Sequence, residues 1–289
     1  MSYSRIPQPS LPSAKLACRR LIVGFLASFA ICSSFNPVIA QEMIPGTAVR
    51  QVAWSNEAVE VFRDGDRLLL SVQPTGLAAK RVSLPRLYAM VHSWGWMGAP
   101  NAKLLLISEP NEWIFEWPDD APTGNTIELQ LISAPEILEQ PPVSQPTADG
   151  SIWLGAHQAR TFGSRLRYEP QPHKNTVGYW TDAQDFAVWE FEVDQPGHFA
   201  VAILQGCGAG QGGSEANLSV RREESETVTL PFQVEDTGHF QNFRWRTIGL
   251  VELKSLGRHE LQLGAVKIAN AALMDVRAIH LIRQANTGK

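Results

Sequence analysis

Cysteine is scarce: the 289 residues carry three, Cys18, Cys32 and Cys207. A chain that starts beyond residue 40 keeps Cys207 alone, which excludes an intramolecular disulfide and leaves stability to packing. A long apolar run is also missing. The stretch Leu21 to Cys32 has 12 mostly apolar residues, and a helix of that length rises only about 18 Å, too little to span a bilayer. Positive charge is in deficit, with 25 Lys and Arg against 29 Asp and Glu and a formal charge of −4. That balance excludes a broad attraction to nucleic acid or anionic lipid. Catalytic signatures are lacking as well: there is no Gly-x-Ser-x-Gly, no His-Glu-x-x-His and no Cys/His cluster with metal spacing. The expectation is a protein that is not an enzyme and that holds no cofactor and no metal.

What is present begins with a leader. Residues 1–40 contain Arg5, Lys15, Arg19 and Arg20 and no acidic residue. The basic pair precedes the apolar run, and Val38-Ile39-Ala40 supplies the small residues of a cleavage site. A signal peptide over 1–40 follows, with a mature chain starting near Gln41 that is secreted or periplasmic and has no transmembrane segment. Loss of the four cations takes the formal charge from −4 to −8. Ile31 stands where a lipoprotein needs a small residue before Cys32, which argues against lipidation.

Past the leader the chain alternates with period two, the pattern of half-buried strands. Glu57 to Arg63, a turn at Asp64-Gly65-Asp66 and Arg67 to Val72 read as a hairpin. Val82 to Trp94, Lys103 to Ser108, Trp113 to Trp117 and Thr126 to Ile132 add four strands, giving an N-terminal β-sandwich over 43–138. His92 with Trp94-Gly95-Trp96 suggests either a sugar platform or, as is commoner for alternating Trp on a strand, core. The Pro-rich segment 139–150 reads as a linker. A second sandwich over 151–285 is built from Asp185–Val193, a Pro196-Gly197 turn, the alternating Phe199, Val201 and Ile203, and later strands ending at Met274–Ile282. The fold class is all-β, two β-sandwich domains.

In the second half Gly178-Tyr179, Asp185-Phe186 with Trp189, Pro196-Gly197-His198-Phe199, Thr237-Gly238-His239-Phe240 and Gly257-Arg258-His259 occur in one order. That order resembles carbohydrate-binding modules of families 6 and 35, which have a galactose-binding-like jelly-roll fold. The loop ending in Ser214-Glu215 and the segment Met274-Asp275-Val276-Arg277 resemble the bacterial module appended to sulfatases and fucosidases. The N-terminal half is loosely similar to the small sandwich behind fucosidase catalytic domains, on its strand rhythm and Trp113 to Pro118. The resemblance implies a lectin-like protein whose ligand is a polysaccharide or glycan. Two aromatics would sandwich a sugar ring, at Tyr179 or Trp180 and at Phe240 or Phe243. Asp275 would bond a hydroxyl, with Gln241 and Asn242 as amide hydrogen-bonders nearby. A galactose-binding-like fold also hosts protein-binding accessory modules, so a protein partner in an exported bacterial assembly is the alternative. Two departures stand out. Arg277 occupies the family's calcium Asp position and Leu154-Gly155-Ala156-His157 lacks a carboxylate, which argues against calcium. Phe also replaces the usual Trp at the platform.

Other motifs have plainer readings. Gly208, Gly210 and Gly213 match a dinucleotide fingerprint, but Ala216–Val220 behind them is a strand and not the helix a pyrophosphate needs. Cys207 has no base nearby in sequence and reads as a small buried hydrophobe. Asp182, Asp185 and Glu190 could be paired acids, yet Asp185 reads as a turn residue and Glu190 as a solvent-facing strand residue. Asn217-Leu218-Ser219 is a sequon.

Overall fold

The computed structural model describes residues 52–120, 124–132, 141–222 and 227–285, all of which fall within one compact unit, Ala48–Lys289. The expected leader, residues 1–40, lies outside the described residues. Among the described residues no helix is long and apolar enough to cross a membrane.

The first half runs β1 (Val52–Ser55), β2 (Val59–Asp64), β3 (Arg67–Val72), a short helix α1 (Pro74–Ala79), β4 (Arg81–Pro85), β5 (Val91–Trp96), β6 (Leu105–Ser108), β7 (Glu112–Glu116) and β8 (Thr126–Leu131). These strands make a five-stranded sheet ordered β1-β2-β3-β8-β5 and a three-stranded sheet ordered β4-β7-β6. Gly65, at a φ of 63°, closes the β2–β3 hairpin, in which Asp64 pairs with Arg67. The single strand expected over Val82–Trp94 is in fact two. β4 pairs with β7 as far as Pro85, and β5 joins the other sheet beside β8. Trp96 is core, edge-to-face with Trp117 at 5.0 Å. Trp94 is half-buried and donates its indole N–H to the Leu104 carbonyl at 3.0 Å. Only His92 of that cluster is exposed, so it offers no sugar platform.

Among its described residues the second half has eleven strands. Four short ones come first: β9 (Ile152–Gly155), β10 (Arg160–Phe162), β11 (Arg167–Glu169) and β12 (Thr176–Gly178). They are followed by β13 (Phe186–Val193), β14 (Gly197–Cys207), β15 (Glu215–Arg221), β16 (Val228–Gln233), β17 (His239–Leu253), β18 (Gly257–Lys267) and β19 (Asp275–Arg283). One sheet is ordered β10-β13-β18-β15-β16 and the other β11-β12-β19-β14-β17, with β9 also paired to β19. The fold is all-β, and this half is a β-sandwich. Inward residues at alternate positions fill its core: Trp189, Phe191 and Val193 from one sheet against Phe199, Val201 and Ile203 from the other, all buried. Each such side chain contributes about 1.5–3 kcal/mol.

The segment 139–150 is described from Pro141 onward. There Ser144 bridges to β13, its N–H donating to the Glu190 carbonyl at 2.9 Å while the Glu192 N–H donates to the Ser144 carbonyl at 2.9 Å. Asp185 accepts the backbone N–H groups of Ser164, Arg165 and Leu166 at 3.0, 3.2 and 3.0 Å. It is a loop anchor, as a turn residue should be.

Candidate functional site

The register of one sheet sets a row of residues at its loop end. Val177 of β12 pairs with Val276 of β19, Asp275 pairs with Gly206 of β14, and Cys207 pairs with His239 of β17. Tyr179, Asp275 and the segment 240–242 therefore emerge from neighbouring strand ends. The glycine at 206 has a cause: a side chain there would collide with the Phe240 carbonyl oxygen, since the tip of β17 lies directly on β14. The Phe240 ring rests on Gly208 in the same way, which gives the Gly-rich segment a packing role.

The sequence reading pairs Tyr179 and Trp180 as alternatives, and the backbone separates them. Tyr179 has a φ of 60°, the left-handed region that costs a non-glycine residue about 1–2 kcal/mol. This reversal leaves the Tyr179 ring 46% exposed and drives Trp180 into the core at 1%. The Trp180 indole N–H donates to the Asp185 carbonyl at 3.0 Å, and the Trp180 carbonyl accepts from Leu273 at 2.8 Å. Trp180 as a ligand contact is thus corrected: it is a structural residue. Tyr179 is the exposed aromatic.

Two carboxylates converge beneath this surface. A Cβ on Gly178 would lie 2.6 Å from Glu169 Oε2 and 2.8 Å from Asp275 Oδ1, so only glycine leaves room for both. Glu169 is 4% and Asp275 6% exposed. Lys174 is ion-paired to Glu169. Burial pushes the Asp275 carboxyl up to about 8 and the Glu169 charge adds to this, while Lys174 and Arg277 pull it down. Asp275 is therefore a buried acid that holds its proton more tightly than a free carboxyl, and not the open hydroxyl acceptor that the resemblance implies.

Cations stack on the aromatics around that pair. The Arg167 guanidinium lies 3.8 Å from the Tyr179 ring centre and the Lys174 ammonium 5.8 Å from it. Arg277 lies 3.8 Å over the Phe243 ring, and its Nε and Nη2 donate to the carbonyls of Lys174 and His173 at 3.0 and 2.7 Å. Each such contact contributes about 0.5–2 kcal/mol. Phe240, Gln241 and Phe243 are half-buried, whereas Asn242 is exposed but spends its amide N–H on the Thr237 carbonyl. Sequence reasoning missed Arg167, Glu169 and Lys174. The charged-aromatic-charged run Arg167-Tyr168-Glu169, with both charges on one strand face, was the available signal.

Elsewhere on the same sheet Trp153 and Trp245, both nearly half exposed, meet edge-to-face at 5.5 Å beside His280. Among the described residues no group of three or more His, Cys, Asp or Glu is placed to hold a metal ion.

No family model matches the sequence, and no curated protein matches it either. Several solved structures match parts of the chain, all at low identity and low TM-score. An α-L-fucosidase from Vibrio sp. strain EJY3 matches over 81% of this chain and 41% of its own, at 11% identity and a TM-score of 0.34. The C-terminal family 6 carbohydrate-binding module of a marine laminarinase from Zobellia galactanivorans matches over 46% of this chain and 99% of its own, at 15% identity and a TM-score of 0.37. A family 35 module from Cellvibrio japonicus matches over 48% and 99%, at 18% identity and a TM-score of 0.36. The chain thus spans less than half the length of the fucosidase it resembles.

Proposed function

We propose that this is an exported, non-catalytic glycan-binding protein of two β-domains, and that the loop end of its C-terminal sandwich is the binding surface. Tyr179 carries the proposal. Left-handed backbone costs this residue about 1–2 kcal/mol and nearly half of it stays in solvent, so burial alone does not account for an aromatic there. A flat ring facing solvent, with charged donors beside it, suits the C–H face and hydroxyls of a pyranose. Arg167 and Lys174 are the charged groups beside the ring, and Phe240 and Phe243 border the same row.

A glycan array with the mature protein tests this, with Tyr179→Ala as the control. Binding that survives in the variant at the wild-type level would remove Tyr179 from the site. The second reading, docking onto a protein in an exported assembly, draws on Trp153 and Trp245, since exposed Trp also anchors protein interfaces. A pull-down that captures a partner through Trp245 while the glycan array stays blank would favour it.

A further inference from the structure

We infer that the N-terminal sheets take part in recognition, and that Glu109, beyond the end of β6, is a positioning residue that holds Arg167 against the Tyr179 ring. The inference rests on the reading of Tyr179 as the ligand platform. Arg167 Nη1 donates to Glu109 Oε2 at 2.5 Å and to the Ser108 carbonyl at 3.1 Å. The same guanidinium lies over Tyr179 at 3.8 Å. One cation thus joins the first half of the chain to the exposed ring of the second.

The loop behind the site is held from the same side. Gln171 donates its amide N–H to the Leu106 carbonyl at 2.8 Å, and Asn175 reaches Met90 Sδ at 3.3 Å. Asn175, like Tyr179, has a positive φ, 43°. The two positive-φ residues bracket β12, and contacts with the first half reach both ends of it. Simple packing between halves does not ask for this arrangement. An ion pair whose Glu side chain is 43% exposed adds little to stability, but it removes the freedom of the guanidinium under the ring. Without Glu109, Arg167 keeps one carbonyl acceptor and can swing into solvent, leaving Tyr179 free to rotate. Preorganisation of this kind acts on affinity with little effect on folding.

The test uses the full mature chain in native affinity gels that contain laminarin, β-mannan or dextran, beside the variants Glu109→Ala, Arg167→Ala, the double variant, Glu109→Asp and Tyr179→Ala. We expect Tyr179→Ala to abolish retardation. Glu109→Ala and Arg167→Ala should each weaken it about tenfold, the double variant should be no weaker than Arg167→Ala, and Glu109→Asp should recover part of the loss. A ligand-free readout accompanies it: nitration of Tyr179 by tetranitromethane, followed by peptide mass, should be faster in Glu109→Ala than in wild type. If Glu109→Ala lowers the melting temperature, Glu109→Leu, which keeps the side-chain bulk and accepts no hydrogen bond, replaces it in both assays. Wild-type retardation and nitration in the Glu109 variant, with binding lost in Tyr179→Ala, would overturn the positioning role and leave the glycan site standing. Additive losses in the double variant would overturn it too. Full retardation of Tyr179→Ala would overturn the site and the inference together. If none of the three polysaccharides retards the wild type, the nitration rates decide the positioning role.

Discussion

Replacing Asp275 with asparagine keeps the side-chain shape beside Glu169 and removes the proton that the site holds. The wild-type carboxyl is pushed from 3.8 up to about 8, first by burial and then by Glu169. A raised folded-state value means that the folded chain keeps a proton which the unfolded chain has already lost. This contribution to stability is complete below pH 4 and disappears as the pH rises to about 8. Each pH unit in that window costs about 1.4 kcal/mol, so the ceiling is about 6 kcal/mol. Lys174 and Arg277, which pull the value down, can move closer to an ionised Asp275, and about 3 kcal/mol is the working figure. Urea unfolding from pH 4 to 9, followed by tryptophan fluorescence, measures it. His157 runs the other way: burial and then Arg86 push it down to about 4, so its share is lost as the pH falls from 6.5. That share is common to both proteins and cancels in their difference. Asp275→Asn should match wild type at pH 4 and exceed it by about 3 kcal/mol at pH 8. A difference that stays flat across the range would refute the buried-acid account.

Three further outcomes follow from the geometry. Tyr179→Gly should leave stability within about 1 kcal/mol of wild type, relief of the left-handed backbone offsetting the lost Arg167 contact, while abolishing glycan retention, whereas Trp180→Ala should cost about 3–5 kcal/mol in a denaturant titration. Gly206→Ala should lower stability by at least about 2 kcal/mol, because its methyl has no room beside the Phe240 carbonyl; thermal unfolding reads this directly. Mass spectrometry of the exported protein should find a chain beginning near Gln41, and an intact residue 1 in that fraction would contradict export by cleavage.

The all-β class and the strand phases were legible wherever one face is buried and the other wet. Trp189, Phe191 and Val193 alternate with charged residues, and the alternation survives in β13 unchanged. Legibility ended where the backbone leaves that regime. β17 runs from His239 through Leu253 as one strand, yet only its end from Thr247 onward reads as one, because its first half is partly exposed on both faces and loses the alternation. Tyr179 and Trp180 could not be told apart, since a left-handed residue between two strands reverses the side-chain phase and leaves no compositional mark. The Arg167–Glu109 pair, 58 residues apart in the chain, was invisible to any local pattern. The proximity of the candidate residues at the strand ends of one sheet was therefore legible, and their electrostatics was not.

Cys207 carries a consequence of a different kind. Its thiol is buried, reaches the Leu273 carbonyl at 3.8 Å, and is pushed up to about 11 by its surroundings. In a mature chain that begins at Gln41 it is the only thiol, so passage through an oxidising compartment can neither staple the fold nor scramble it. The same sulfur is a chronometer. An alkylating reagent should find it only in molecules that have opened the sandwich, so the rate at which label accumulates in native buffer measures how often the core comes apart.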